Sequence, residues 1–117
     1  MKVTHLYTGS DGESHFKDIE ISLQNDKRIG GRLSEVMKAT GIILLEFEGR
    51  KQHDWHNASG RQLVITLQGE SEIEVGDGTK RRFRPGDILL AEDSTGRGHI
   101  SREVSSRLHR MVFVSLD

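Results

Sequence analysis

The stretch His-Asp-Trp-His-Asn-Ala-Ser-Gly-Arg-Gln, residues 53–62, gathers two imidazoles, a carboxylate and a glutamine within ten positions. Side chains of these types either ligate a divalent metal or satisfy one another in a polar loop. The chain contains no cysteine, so any metal is held by nitrogen and oxygen, and neither thiolates nor disulfides contribute. In an extended segment, residues two apart share a face. That rule puts Asp54 and His56 together and sends His53 and Trp55 the other way. Asp54 is then the inward partner of His56, as ligand or as base. A loop that escapes strand alternation would turn His53 inward in its place.

Short segments, either apolar or alternating, must position this cluster. Thirteen glycines and a single proline punctuate them, which is the pattern of an all-β domain. Strands are expected over 3–8, 15–23, 42–48, 61–68, 71–75, 80–84, 87–91, 99–103 and 108–116. One helical turn at 33–38 is the only helical signal, and it is too short to hold alone. In Glu-Ser-Glu-Ile-Glu-Val-Gly-Asp-Gly-Thr-Lys-Arg-Arg-Phe-Arg, residues 70–84, a Gly-Asp-Gly loop joins two alternating segments. The hairpin register sets Glu74 opposite Lys80, Glu72 opposite Arg82, Glu70 opposite Arg84 and Ser71 opposite Phe83. It also sets Arg81 beside Ile73, on the face expected to be inner.

Two segments carry apolar residues on both faces: 61–68, which splits Leu63, Ile65 and Leu67 from Gln62, Val64, Thr66 and Gln68, and the run Gly-Ile-Ile-Leu-Leu-Glu-Phe at 41–47. A second sheet covers only one side of a strand. Cover for the other side is expected from a terminal segment or a second subunit, which predicts a homodimer.

With 117 residues the chain makes one domain, 1–117, large enough for a single core. Its 17 basic and 18 acidic residues nearly cancel, so nothing points to nucleic acid or an anionic membrane surface. The basic run Lys80, Arg81, Arg82 and Arg84 faces acidic neighbours and reads as a solvated face. No apolar run approaches the ~20 residues that span a bilayer, and the first ten residues lack the order of a secretory signal. A cytoplasmic location is the expectation.

Residues 49–103 resemble the cupin family. Its first motif runs from a glycine to a histidine pair, a glutamate, and a glycine six residues further on; Gly49, the region His53 to His56, Gln62 and Gly69 take those places. Pro85, Gly86, Asp87, Gly96 and His99 resemble the second motif. The resemblance implies a double-stranded β-helix, the jelly-roll barrel of two packed antiparallel sheets. It also implies four inward ligands at Asp54, His56, Gln62 and His99. If His53 turns in, the set becomes three histidines and a glutamine. The first set suits non-haem iron or manganese, and the second nickel, manganese, zinc or iron. Gln62 stands where the family has glutamate, Glu103 where it has asparagine, and the intervals from His56 to Gln62 and from Gly86 to His99 are longer than usual.

Three functional readings follow. The first is a cupin binding a divalent metal and a small organic molecule, with oxygenase, isomerase or lyase chemistry implied by the resemblance. The second is a small-molecule binding or sensing module without turnover. The third is metal-free proton transfer by a histidine and carboxylate pair; in the first, Asp54, or His53 if it turns inward, can serve as base instead of ligand. Trp55 is expected to pack or wall the pocket. His15 is a candidate at the barrel mouth, His5 and His109 are expected to be structural, and Glu92 with Asp93 is expected in a solvated turn or at the pocket rim.

Overall fold

The computed structural model describes residues 1–105 and 107–117. Its strands are Lys2–Thr8 (β1), Ser14–Glu20 (β2), Gln24–Asp26 (β3), Gly31–Leu33 (β4), Ala39–Glu48 (β5) and Gln52–His56 (β6). Gln62–Gln68 (β7), Ser71–Glu74 (β8), Lys80–Phe83 (β9), Ile88–Ala91 (β10), His99–Glu103 (β11) and Leu108–Leu116 (β12) complete the chain. Among the described residues there is no helix, and so none long and apolar enough to cross a membrane. Residues 34–38 have no regular structure, and Val36 is 98% exposed. The helical signal at 33–38 forms no turn, in keeping with its length: nothing packs against it, and one turn gains too few hydrogen bonds to offset its ordering.

A six-stranded sheet, β2-β1-β10-β7-β12-β5, faces a four-stranded sheet, β6-β11-β8-β9. The arrangement is an all-β jelly roll, as expected. Every pairing is antiparallel except β1 with β10, which run parallel. β3 and β4 form a separate small hairpin. The inner faces hold Leu6, Ile73, Val75, Phe83 and Leu89, with Phe16 and Val64 packed against them. Burying side chains of this size contributes roughly 1.5–3 kcal/mol each.

The hairpin at 70–84 takes the expected register, with Ser71 opposite Phe83, Glu72 opposite Arg82, Ile73 opposite Arg81 and Glu74 opposite Lys80. Its ion pairs are partly rerouted. Arg82 reaches both Glu70 and Glu72, at 3.0 and 3.3 Å, while Glu74 is taken by Arg102 at 2.8 Å. Arg81 avoids the core because β9 is an edge strand. Its guanidinium meets Asp18 on β2 at 2.7 Å and lies over the Phe16 ring.

β5 departs from expectation more. Leu45 and Phe47 face the interior, but Ile42, Ile43 and Leu44 are 67%, 57% and 78% exposed, so within one chain the run at 41–47 is not covered. β5 is also the open edge of the large sheet.

Candidate functional site

Between the two sheets lies a cavity of about 360 Å³. The large sheet walls it with Gln62, Val64 and Thr66 from β7 and Met111 and Phe113 from β12. The small sheet contributes Ser71 and Ile73 from β8, and His99, Ser101 and Glu103 from β11. These are every-other-residue sets, as inward faces of strands must be. His53 and His56 from β6 complete the polar end.

His53 and His56 are three apart, so a regular strand would point them opposite ways. The pairing of β6 with β11 shows why it does not. His99 lies opposite His56 and Ser101 opposite His53, so two steps along β11 match three along β6. This bulge inserts one residue and reverses the alternation. Asp54 is thereby displaced: it is exposed, does not line the cavity, and its Oδ1 accepts a hydrogen bond from the Trp55 amide at 3.0 Å. The cavity-lining place expected for Asp54 belongs to His53, which is itself exposed and so stands at the mouth. Gln62, His56 and His99 line the cavity as expected.

The His56 and His99 rings have centroids 4.4 Å apart, and the His53 ring is 6.1 Å from that of His56. His56 Nδ1 lies 2.7 Å from the carbonyl oxygen of Asp54, which can only accept, so Nδ1 carries the hydrogen and Nε2 keeps its lone pair. His99 Nδ1 is 2.5 Å from Asp93 Oδ2, which sets the same tautomer. Among the described residues no group of three or more His, Asp or Glu side chains is drawn together tightly enough to hold an ion unaided.

Asp93 is not in a solvated turn. It is fully buried, and its Oδ2 also accepts the Ser14 hydroxyl at 2.7 Å. The sequence carried a signal for this: Leu89 and Ala91 point inward, and Asp93 is the next residue in that alternation. Its neighbour Glu92 does sit at the surface, paired with Arg61 at 3.2 Å and His5 at 3.3 Å. His15 chelates the Asp11 carboxylate at 3.0 Å, outside the cavity. Trp55 does not wall the cavity; Arg97 stacks over it at 4.0 Å.

At another part of the cavity wall stands a second buried pair. His109 is fully buried, with Nδ1 3.1 Å from Glu103 Oε2. Burial pushes the Glu103 carboxyl up from its ordinary value, against the opposing pull of His109. Here too alternation points the way, since His109, Met111 and Phe113 share one face. Gly69 makes the pair possible: a Cβ there would stand 2.8 Å from the His109 Cγ.

No protein-family model matches the sequence, and no curated protein matches it. Solved structures do. A cupin superfamily protein from Desulfitobacterium hafniense aligns over 69% of this chain and 75% of its own, with a TM-score of 0.50 and 21% identity. A Leptotrichia buccalis cupin 2 conserved barrel domain protein covers all of this chain with 41% of its own, at a TM-score of 0.51 and 14% identity. The cupin domain of Schizosaccharomyces pombe Cnp3 aligns over 99% of this chain and 88% of its own, at 0.53 and 12%. At these identities the likeness is one of fold: the chain has the cupin fold, as the motifs at 49–103 implied.

Proposed function

We propose that the cavity binds a divalent metal ion together with a small organic molecule, and that His53, His56, Gln62 and His99 hold the ion. The observation that carries this reading is the pair of fixed tautomers. Both His56 and His99 spend Nδ1 on a rigid acceptor and keep Nε2 free beside the other ring, the preparation that metal-ligating histidines receive from their surroundings. Three imidazoles and an amide oxygen suit iron, manganese, nickel or zinc. Such an ion supplies Lewis acidity and open positions for a ligand. The residues of the chain itself orient the donors and, through Val64, Ile73 and Met111, present apolar wall to a bound organic molecule.

The test is metal analysis of untagged protein. Near-stoichiometric metal is expected, reduced at least tenfold in His56→Ala and His99→Ala, with added metal raising the melting temperature of the wild type only. Absence of metal together with an unmoved melting temperature defeats the reading. The hydrogen bond of His99 Nδ1 to the buried Asp93 carboxylate favours, in that event, metal-free proton transfer by His99.

The homodimer is proposed on the exposed apolar strip Ile42, Leu44 and Leu67, at the open edge of the large sheet. The occupant is a second copy. The segment just before β5 carries its own exposed apolar residues, Leu33, Val36 and Met37, so face and segment from two chains complement each other about a two-fold axis. Leu44→Glu, at a position solvated in the single chain, is expected to halve the mass seen by light scattering at low micromolar concentration while leaving the fold intact. A wild-type protein that is already monomeric there contradicts the dimer.

A further inference from the structure

The cavity has one carboxyl among its described lining residues, Glu103, and neither the fold nor the histidine cluster explains it. Its partner fixes what it can do. His109 Nε2 lies 2.8 Å from the Ser105 carbonyl oxygen, which can only accept, so Nε2 carries a hydrogen. His109 Nδ1 then faces Glu103 Oε2 at 3.1 Å, and both atoms are buried with no other partner. Two bare lone pairs at that distance repel where both atoms are buried. One proton therefore lies between them, on Oε2 or on Nδ1. In either form Oε2 is committed to His109, and Oε1 is left as a hydrogen-bond acceptor.

We propose that Glu103, positioned by His109, is a specificity-determining residue that accepts a hydrogen bond from a hydroxyl of a small, largely apolar ligand of the phenol class. The surroundings fit that class. Val64, Ile73, Phe83, Leu89 and Met111 offer apolar contact, and about 360 Å³ accommodates a substituted ring. At Oε1 a carbonyl or carboxylate group would meet only another acceptor. Sites built to receive a hydroxyl reject the analogue that lacks it, because the buried acceptor is then left without a donor.

The inference rests on the cavity being a ligand site, not on a bound metal, so the experiment uses chelator-treated protein. Phenol and anisole are titrated against wild type, Glu103→Gln and Glu103→Ala, by calorimetry or ligand-observed NMR. Phenol is expected to bind wild type at least about tenfold more tightly than anisole, the effect of one neutral hydrogen bond. Glu103→Gln keeps that preference within about threefold, since its amide can donate to His109 Nδ1 and still present a carbonyl oxygen. Glu103→Ala abolishes it. If Glu103→Ala does not fold, the Glu103 carboxyl carbon signal of labelled wild type decides: phenol shifts it and anisole does not. Equal affinity for the two probes, a preference that survives Glu103→Ala, an unmoved carboxyl signal, or no binding of either probe overturns the proposal. None of these outcomes depends on whether the histidines bind metal.

Discussion

Gly98→Ala is expected to lower the melting temperature by about 10 °C or more and to separate the two imidazoles on which the proposed metal site depends. Gly98 has φ +79°, and a methyl group there would overlap the His56 carbonyl group and stand 3.0 Å from the Asn57 nitrogen. The left-handed backbone alone costs an alanine about 1–2 kcal/mol. Overlap with main chain, which unlike a side-chain tip cannot rotate away, adds roughly 1–3 kcal/mol. Relief can come only by pushing β6 away from the start of β11, the contact that sets His56 opposite His99. Gly86→Ala is the control: φ is +95° but a methyl there meets nothing within 4 Å, so only the backbone term of about 1–2 kcal/mol applies. Thermal denaturation of both variants, with metal content measured beside it, checks the difference. Equal melting temperatures would show that the close approach at Gly98 is not rigid.

The contrast between these glycines marks where sequence reasoning stops. Local alternation and turn chemistry place the strands, because an antiparallel strand with one buried face repeats every two residues and a Gly-Asp-Gly loop permits few registers. Segments 99–103 and 108–116 are strands to the residue, and the pairs from Ser71–Phe83 to Glu74–Lys80 stand as expected. The same alternation misplaces Asp54, because it assumes regular pairing and a bulge is decided by the partner strand, more than forty positions away in sequence. β3, β4 and β6 carry little apolar signal of their own, so nothing local announces them. Asp93 fails for another reason. Carboxylates are read as solvated unless paired, and its partners, Ser14 and His99, are found only once the chain is folded. The burial of Glu103 on His109 is likewise a matter of tertiary pairing that neither residue announces.

Asp93→Ala should produce the other large loss. The aspartate is fully buried, and its Oδ2 is the sole side-chain acceptor for the Ser14 hydroxyl and for His99 Nδ1. Truncation leaves two buried donors without a partner, each at about 1–3 kcal/mol, and empties space in a packed layer. A loss of about 3–5 kcal/mol is expected, in the range seen when one member of a buried pair is removed. Asp93→Asn separates stability from site function. Its amide oxygen can take over one or both hydrogen bonds, while its amino group replaces Oδ1, which has no partner. The fold should lose only about 1–2 kcal/mol for one unsatisfied polar group. The proposed metal affinity should nevertheless fall about 10–100-fold, because the negative charge behind the His99 ring is gone. Denaturant titration of Asp93→Ala, His99→Ala and the double variant completes the test. The two single losses should exceed the double loss when summed, since removing both partners leaves neither one stranded. Strict additivity would mean that Asp93 and His99 are neighbours without being coupled, and the fixed tautomer would lose its support.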